Sequence, residues 1–143
     1  MSRQEVESFF EDYRARFNRL DGDAVADMWH TPGAITHRAK GVNHAALTPW
    51  TEDAPMRANM RALCDVYRND DYDHANFALD SCESMGEHHA FAVVSWTLTR
   101  ADDSLLQQFK TGYNLMRTTD GPKVILVTQF EENVEEMKRH AAH

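Results

Sequence analysis

Between Ser2 and Leu20 the apolar residues Val6, Phe9, Phe10, Tyr13, Phe17 and Leu20 recur every three or four positions, with Glu7, Glu11, Arg14 and Arg16 on the opposite side. That spacing predicts an amphipathic helix over 2–20. Ser2 with Glu5 makes a capping box at its start, and Asp21-Gly22 supplies the stop. Asp23 is expected to cap a short second helix that turns Val25, Met28 and Trp29 inward and ends before Pro32. From Ala34 to Thr48 the pattern is mixed, and β-capable residues around Ile35 and Val42, broken at Gly41, predict two small strands. A third helix opens at Thr51-Glu52-Asp53 with Pro55 in its first turn. It carries the stripe Met56, Met60, Leu63, Cys64 and Tyr67, and ends at Asn69-Asp70-Asp71.

The rest of the chain reads as strand, over about 74–85, 88–100, 105–118 and 123–133, separated by Gly86-Glu87, Ala101-Asp102-Asp103 and Asp120-Gly121-Pro122. Turns this short force an antiparallel meander, because parallel neighbours need crossovers of about a dozen residues. Helices followed by a meander make the fold class α+β rather than alternating α/β. A single domain over 1–133 with a polar tail over 134–143 is the expected organisation.

Composition narrows the function. The 143 residues are 42% hydrophobic and 27% charged, ordinary for a globular domain, and the formal net charge of −8 with scattered basic residues argues against nucleic acid as a partner. No apolar run approaches the roughly 20 residues needed to span a bilayer, and residues 1–12 lack the basic start and apolar stretch of a signal peptide, so no membrane association and a cytoplasmic location are expected. Cys64 and Cys82 are read as thiols acting as small apolar residues. Eight histidines raise the question of a metal, but His30, His37 and His44 lie seven apart across different elements and His88-His89 are adjacent. Adjacent strand residues point to opposite faces, so no metal site is expected. No phosphate-binding glycine loop or other cofactor motif is present in the sequence, and no cofactor is expected.

Two phrases carry a family resemblance: Leu20-Asp21-Gly22-Asp23-Ala24-Val25-Ala26-Asp27-Met28-Trp29 closing the helix hairpin, and Tyr113-Asn114-Leu115-Met116-Arg117-Thr118-Thr119-Asp120-Gly121 near the end of the meander. With the order of elements they resemble the nuclear transport factor 2-like superfamily, which includes ketosteroid isomerase, scytalone dehydratase, limonene epoxide hydrolase and polyketide cyclase-like proteins. The resemblance runs from about Val6 to Glu132. It implies a cone-shaped, curved antiparallel sheet packed against three helices (the cystatin-like fold), with a pocket between them for a small apolar or aromatic molecule. Pro122-Lys123 stands where the superfamily usually has tryptophan after the last glycine. The resemblance also implies site residues: His37 falls where ketosteroid isomerase keeps its aspartate base, and Asn114 where that enzyme has an oxyanion-hole aspartate. Its first-helix tyrosine falls at or near Ala15, with Tyr13 two residues away, which argues against steroid isomerisation.

The residues themselves support some of these roles. A partly buried imidazole at His37, with an ordinary pKa near about 6.5, could act as a general base. Asn114 shares strand parity with Lys110, Gly112 and Met116, and Phe109, Thr111, Tyr113 and Leu115 share the other parity; one row or the other faces the pocket. If it is the row of Asn114, its amide could meet a ligand carbonyl in the space left by Gly112. Gln129 and Glu131 extend the apolar row of Ile125 and Val127 as polar handles near the pocket mouth, with a solvated strand end the equal alternative for Glu131. Tyr13, Phe17, Trp29, Trp50 and Met60 are expected on the ligand-facing side of the helices and first strands. The expected function is binding of a small hydrophobic molecule. This could be accompanied by cofactor-independent isomerisation, dehydration or hydrolysis through proton transfer; the alternative is a non-catalytic binding or interaction module. Apolar pairs on both parities, such as Val93 with Val94, Leu105 with Leu106 and Ile125 with Leu126, predict a homodimer through the exposed sheet face.

Overall fold

The computed structural model describes residues 1–39 and 41–131; the polar tail over 134–143 lies outside the described residues. Its elements are α1 (Arg3–Asn18), α2 (Gly22–Ala26), β1 (Trp29–Arg38), β2 (Ala45–Trp50), α3 (Asp53–Asn69), β3 (Tyr72–Met85), β4 (His89–Arg100), β5 (Leu105–Thr118) and β6 (Gly121–Glu131). This is the α+β fold expected, three helices against one curved six-stranded sheet.

Helix α1 starts on the expected capping box: Glu5 N–H donates to Ser2 Oγ at 3.2 Å and Ser2 N–H to Glu5 Oε1 at 3.3 Å. Two orphan donors are thereby satisfied, and Val6, Phe9, Phe10 and Tyr13 are buried along the inward stripe. The hairpin that follows departs from expectation. Leu20, with φ of 52°, takes the left-handed position at the turn, and Asp21 rather than Asp23 caps α2 by accepting the Ala24 N–H at 3.1 Å. The helix therefore begins at Gly22 and ends at Ala26, and Trp29 becomes the first residue of β1 instead of the last of a helix. Gly22 serves close approach: a Cβ there would sit 2.7 Å from Arg61 Cα on α3. Around this contact Arg61 clasps the Asp23 carboxylate, and Arg57 reaches Asp27, Asp53 and the Asp23 carbonyl.

The sheet order is β2-β1-β6-β5-β4-β3. Strands β3 to β6 form the expected antiparallel meander. Strand β1 pairs with β2 antiparallel and with β6 in parallel, closing the sheet through a contact that local pattern does not reveal. Register shifts at Leu79/Ser81, Leu98/Thr99, Lys110/Thr111 and Asn114/Leu115 mark bulges that bend the strands around the helices. The inner row of β4, Ala90, Ala92, Val94, Trp96 and Leu98, is buried. The fully buried Phe10 ring lies against Tyr113 and Trp96, with centroids 4.8 and 6.5 Å away. No helix among the described residues is long and apolar enough to cross a membrane.

Candidate functional site

Between α1, α3 and the inner rows of β4, β5 and β6 lies a cavity of about 140 Å³. Tyr13 and Phe17 from α1, Met60 and Tyr67 from α3, Trp96 from β4 and Tyr113 from β5 contribute to its wall. Strand parity explains the β5 contribution: Phe109, Thr111 and Tyr113 point inward with Gln107, and on β6 Val127 and Gln129 do the same. None of the described lining side chains is a carboxylate, an amine, a guanidinium or an imidazole. A larger groove of about 780 Å³ lies outside, where Glu5, Asp12 and Asp27 face Lys123. Those three carboxylates are already committed to Arg117, Arg16 and Arg57, and the groove opens widely to solvent. The smaller, more sheltered cavity is therefore the stronger candidate site.

Its polarity is set by two repeated pairs. The Trp29 indole donates through Nε1 to the Tyr13 hydroxyl at 3.3 Å, and the Trp96 indole to the Tyr113 hydroxyl at 2.9 Å. Each phenol oxygen thus accepts a hydrogen bond from an indole N–H, and among the described residues neither hydroxyl donates to a protein acceptor. Desolvation by burial is the main reason that both phenols, and that of Tyr67, are held well above the ordinary tyrosine range, so each keeps its proton. Tyr72 differs, because its hydroxyl donates to Asn18 Oδ1 at 2.7 Å. Thr111 Oγ1 is near enough to the Tyr113 phenol to favour its ionised form slightly, yet closes no hydrogen bond of good geometry.

The residues singled out from sequence divide. Tyr13, Phe17, Met60 and Gln129 line the cavity. Trp29 does not, because it starts β1 and its indole turns back to the Tyr13 hydroxyl; Trp50, at the end of β2, packs edge-on against Trp29 with centroids 5.9 Å apart. Asn114 points the other way. It pairs with Phe91 and Leu126 on the outer face, and the space expected over Gly112 is filled by the Phe91 ring, 3.0 Å from where a Cβ would stand. His37 shares the parity of the cavity-lining Ile35 but lies one pleat beyond it, outside the lining. Its Nε2 meets Thr48 Oγ1 at 3.1 Å and its Nδ1 the Arg38 carbonyl at 3.2 Å. Both ring nitrogens are engaged away from the cavity, which removes the placement that a base would need. The Glu131 side chain lies outside the described residues, and among those residues no three potential metal-ligating side chains gather.

Sequence reasoning missed Tyr67, Trp96, Gln107, Thr111 and Tyr113 as wall residues. The parity of β5 did carry a signal for Thr111 and Tyr113, since they form the alternative row. Gln107 continues that row by the same alternation, two residues before Phe109; the register shift between the Leu98 and Thr99 pairings lies on its other side, toward Leu105.

No curated protein matches the chain. Among solved structures it is similar to an NTF2-like protein of unknown function from Shewanella oneidensis, with 12% identity and a TM-score of 0.67 over 90% of this chain and 98% of the other. A cystatin-like domain of unknown function from Nostoc punctiforme gives 9% identity and a TM-score of 0.69, over 99% and 86%. A ketosteroid isomerase-like protein from Erwinia carotovora atroseptica gives 15% identity and a TM-score of 0.59, over 86% and 90%. Identities this low speak for the fold alone. The family model described as "NTF2-like protein (DUF6841)" matches residues 4–132, and the chain belongs to that family of NTF2-like proteins.

Proposed function

We propose that this domain binds a small neutral molecule in the enclosed cavity and holds an acceptor oxygen of that molecule against the Tyr13 and Tyr113 hydroxyls. The observation that carries the reading is the pair of phenols that accept from indoles and have no protein acceptor of their own. A hydroxyl that already accepts a hydrogen bond is a better donor, and in a desolvated site its bond to a ligand is stronger than in water. Size supports a small occupant: about 140 Å³ compares with the roughly 150 Å³ apolar cavity that takes up benzene. A single ring with a short substituent fits, and a steroid does not.

The chemistry of the wall favours binding over turnover. Two phenols could stabilise a developing enolate, but the described lining residues include no group able to abstract a proton at neutral pH, and His37 stands outside. We further infer that two copies pair through the outer sheet face. Phe91, Val93, Met116 and Leu126 are half-buried there and take no part in the core on the helix side.

The test of the binding site is titration with acetophenone, a single ring bearing one carbonyl oxygen, followed by the ¹³C-methyl NMR signal of Met60. A saturable shift that weakens several-fold in Tyr13→Phe is expected. No shift of the Met60 signal at millimolar acetophenone would overturn the reading.

A further inference from the structure

The wall beside the Tyr113 phenol carries further polar side chains, and one of them has a buried hydroxyl with no partner. Gln107 is 6% exposed and Thr111 2%. Thr111 Oγ1 has no hydrogen-bond partner, and the Gln107 amide makes no side-chain hydrogen bond among the described residues. Buried polar groups in folded proteins are almost always paired, and leaving one unpaired is costly. Both residues line the cavity. Thr111 and Gln129 are register partners on neighbouring strands, so their side chains stand side by side on the inner face. Gln107 lies further along β5 on that face, with Phe109 between it and Thr111.

Resting on the binding reading above, we propose that the occupant is a planar, neutral ring with an amide-like edge, a hydrogen-bond donor beside an acceptor, and that Gln107, Thr111 and Gln129 recognise this edge. A primary amide presents an N–H donor and a carbonyl acceptor in one plane, and a lactam or cyclic urea edge matches both at once. The hydroxyl of Thr111 can take either role. Phe109 offers the intervening apolar surface against which a ring can lie. An anionic ring would lose its hydration with no cation in the wall to replace it, so it should be rejected.

The experiment is calorimetry on the full chain with four probes of similar size: 2-pyridone, which has the lactam edge; N-methyl-2-pyridone, which lacks its donor; benzene; and benzoate. 2-Pyridone should bind at least about tenfold more tightly than N-methyl-2-pyridone or benzene, and benzoate should not bind. The near-isosteric Gln107→Met and Thr111→Val should each weaken 2-pyridone by about three- to tenfold while benzene binds no more weakly than before. Retained benzene binding also shows that each variant is folded with the cavity intact. Benzene binding as well as 2-pyridone, or 2-pyridone affinity untouched by both substitutions, would overturn this inference and leave the binding cavity standing. Failure of every probe to bind would overturn both.

Discussion

The Trp96 indole nitrogen donates to the Tyr113 hydroxyl at 2.9 Å across the sheet, from β4 to β5. Trp29 repeats the arrangement with Tyr13 at a looser 3.3 Å. Each pair fixes a phenol in a desolvated place and uses the oxygen as an acceptor, so in the proposed reading the same pairs serve both stability and recognition. Tyr113→Phe should strand a buried indole N–H and cost about 1 to 3 kcal/mol in urea unfolding. Tyr13→Phe, with the longer bond, should cost less. Trp29→Ala should cost more than either, about 3 to 5 kcal/mol, because a ring only 4% exposed is removed with the hydrogen bond. A loss below about 1 kcal/mol for Trp29→Ala would show that the ring contributes little to the core.

Thr111→Val makes the opposite prediction. The substitution keeps the shape and deletes a buried hydroxyl that the protein itself does not satisfy, so the unliganded domain should be as stable as the parent or slightly more so. A thermal melt gives the answer. Destabilisation by more than about 1 kcal/mol would mean that an internal water or an unseen partner satisfies the hydroxyl.

Gly22 tests how tightly α2 must sit on α3. A Cβ there meets Arg61 Cα at 2.7 Å and Arg61 N at 2.8 Å. These are backbone atoms that cannot swing aside, and Gly22→Ala should cost about 1 to 3 kcal/mol through overpacking. Asp21→Ala, which deletes only the cap on Ala24 N–H, should cost about 1 kcal/mol. Equal and small losses would show that α2 lifts off α3 at little cost.

These residues also show what the sequence made legible. Period-3.6 stripes located α1 and α3, and turn signals located the meander, because both are local consequences of burying one face. Val25, Met28 and Trp29 keep helical spacing, which predicts Trp29 in a helix; the cap at Asp21 moves the helix start to Gly22 and leaves the tryptophan to a strand. Asn114 illustrates a different limit. Alternation separates β5 into two rows, but only the helices packed on the sheet decide which row is inside, and that contact is non-local. The parallel pairing of β1 with β6 is non-local for the same reason. Gln107 belongs to the same row as Phe109, Thr111 and Tyr113 by alternation, so its place inside was hidden by that same non-local choice between two rows.

The outer face of the sheet makes the dimer testable. Phe91, Val93, Met116 and Leu126 share it with Asn114 and Thr128, and the charged Glu83, Lys110 and Lys123 stand opposite Phe91, Ser95 and Met116, an apolar centre with a charged rim that suits a two-fold interface. Light scattering at micromolar concentration should give twice the 16.4 kDa chain mass. Val93→Glu should halve it by burying a charge in the apolar centre of the proposed interface. A mass of one chain for the parent protein would remove the dimer.

Alkaline pH should unfold the domain through its tyrosines. Tyr13, Tyr67 and Tyr113 are buried, and burial raises the folded-state pKa of each above the ordinary value of 10.0. Below pH about 10 the folded and unfolded chains both keep these protons, so the stability that the phenols contribute is fully present. Above it, the unfolded chain releases protons that the folded chain holds, and stability falls as pH rises toward the folded-state values. With one proton from each of three phenols, the slope is about 4 kcal/mol per pH unit. A domain with a typical net stability of about 5 to 15 kcal/mol would be exhausted within about one to four units. The phenolate absorbance at 295 nm and the circular dichroism at 222 nm should therefore change together in one steep step. Tyr72, whose burial also raises its pKa, should follow the same step. If most of the phenolate signal develops while the circular dichroism stays native, the phenols are open to solvent and the enclosed cavity does not exist in solution.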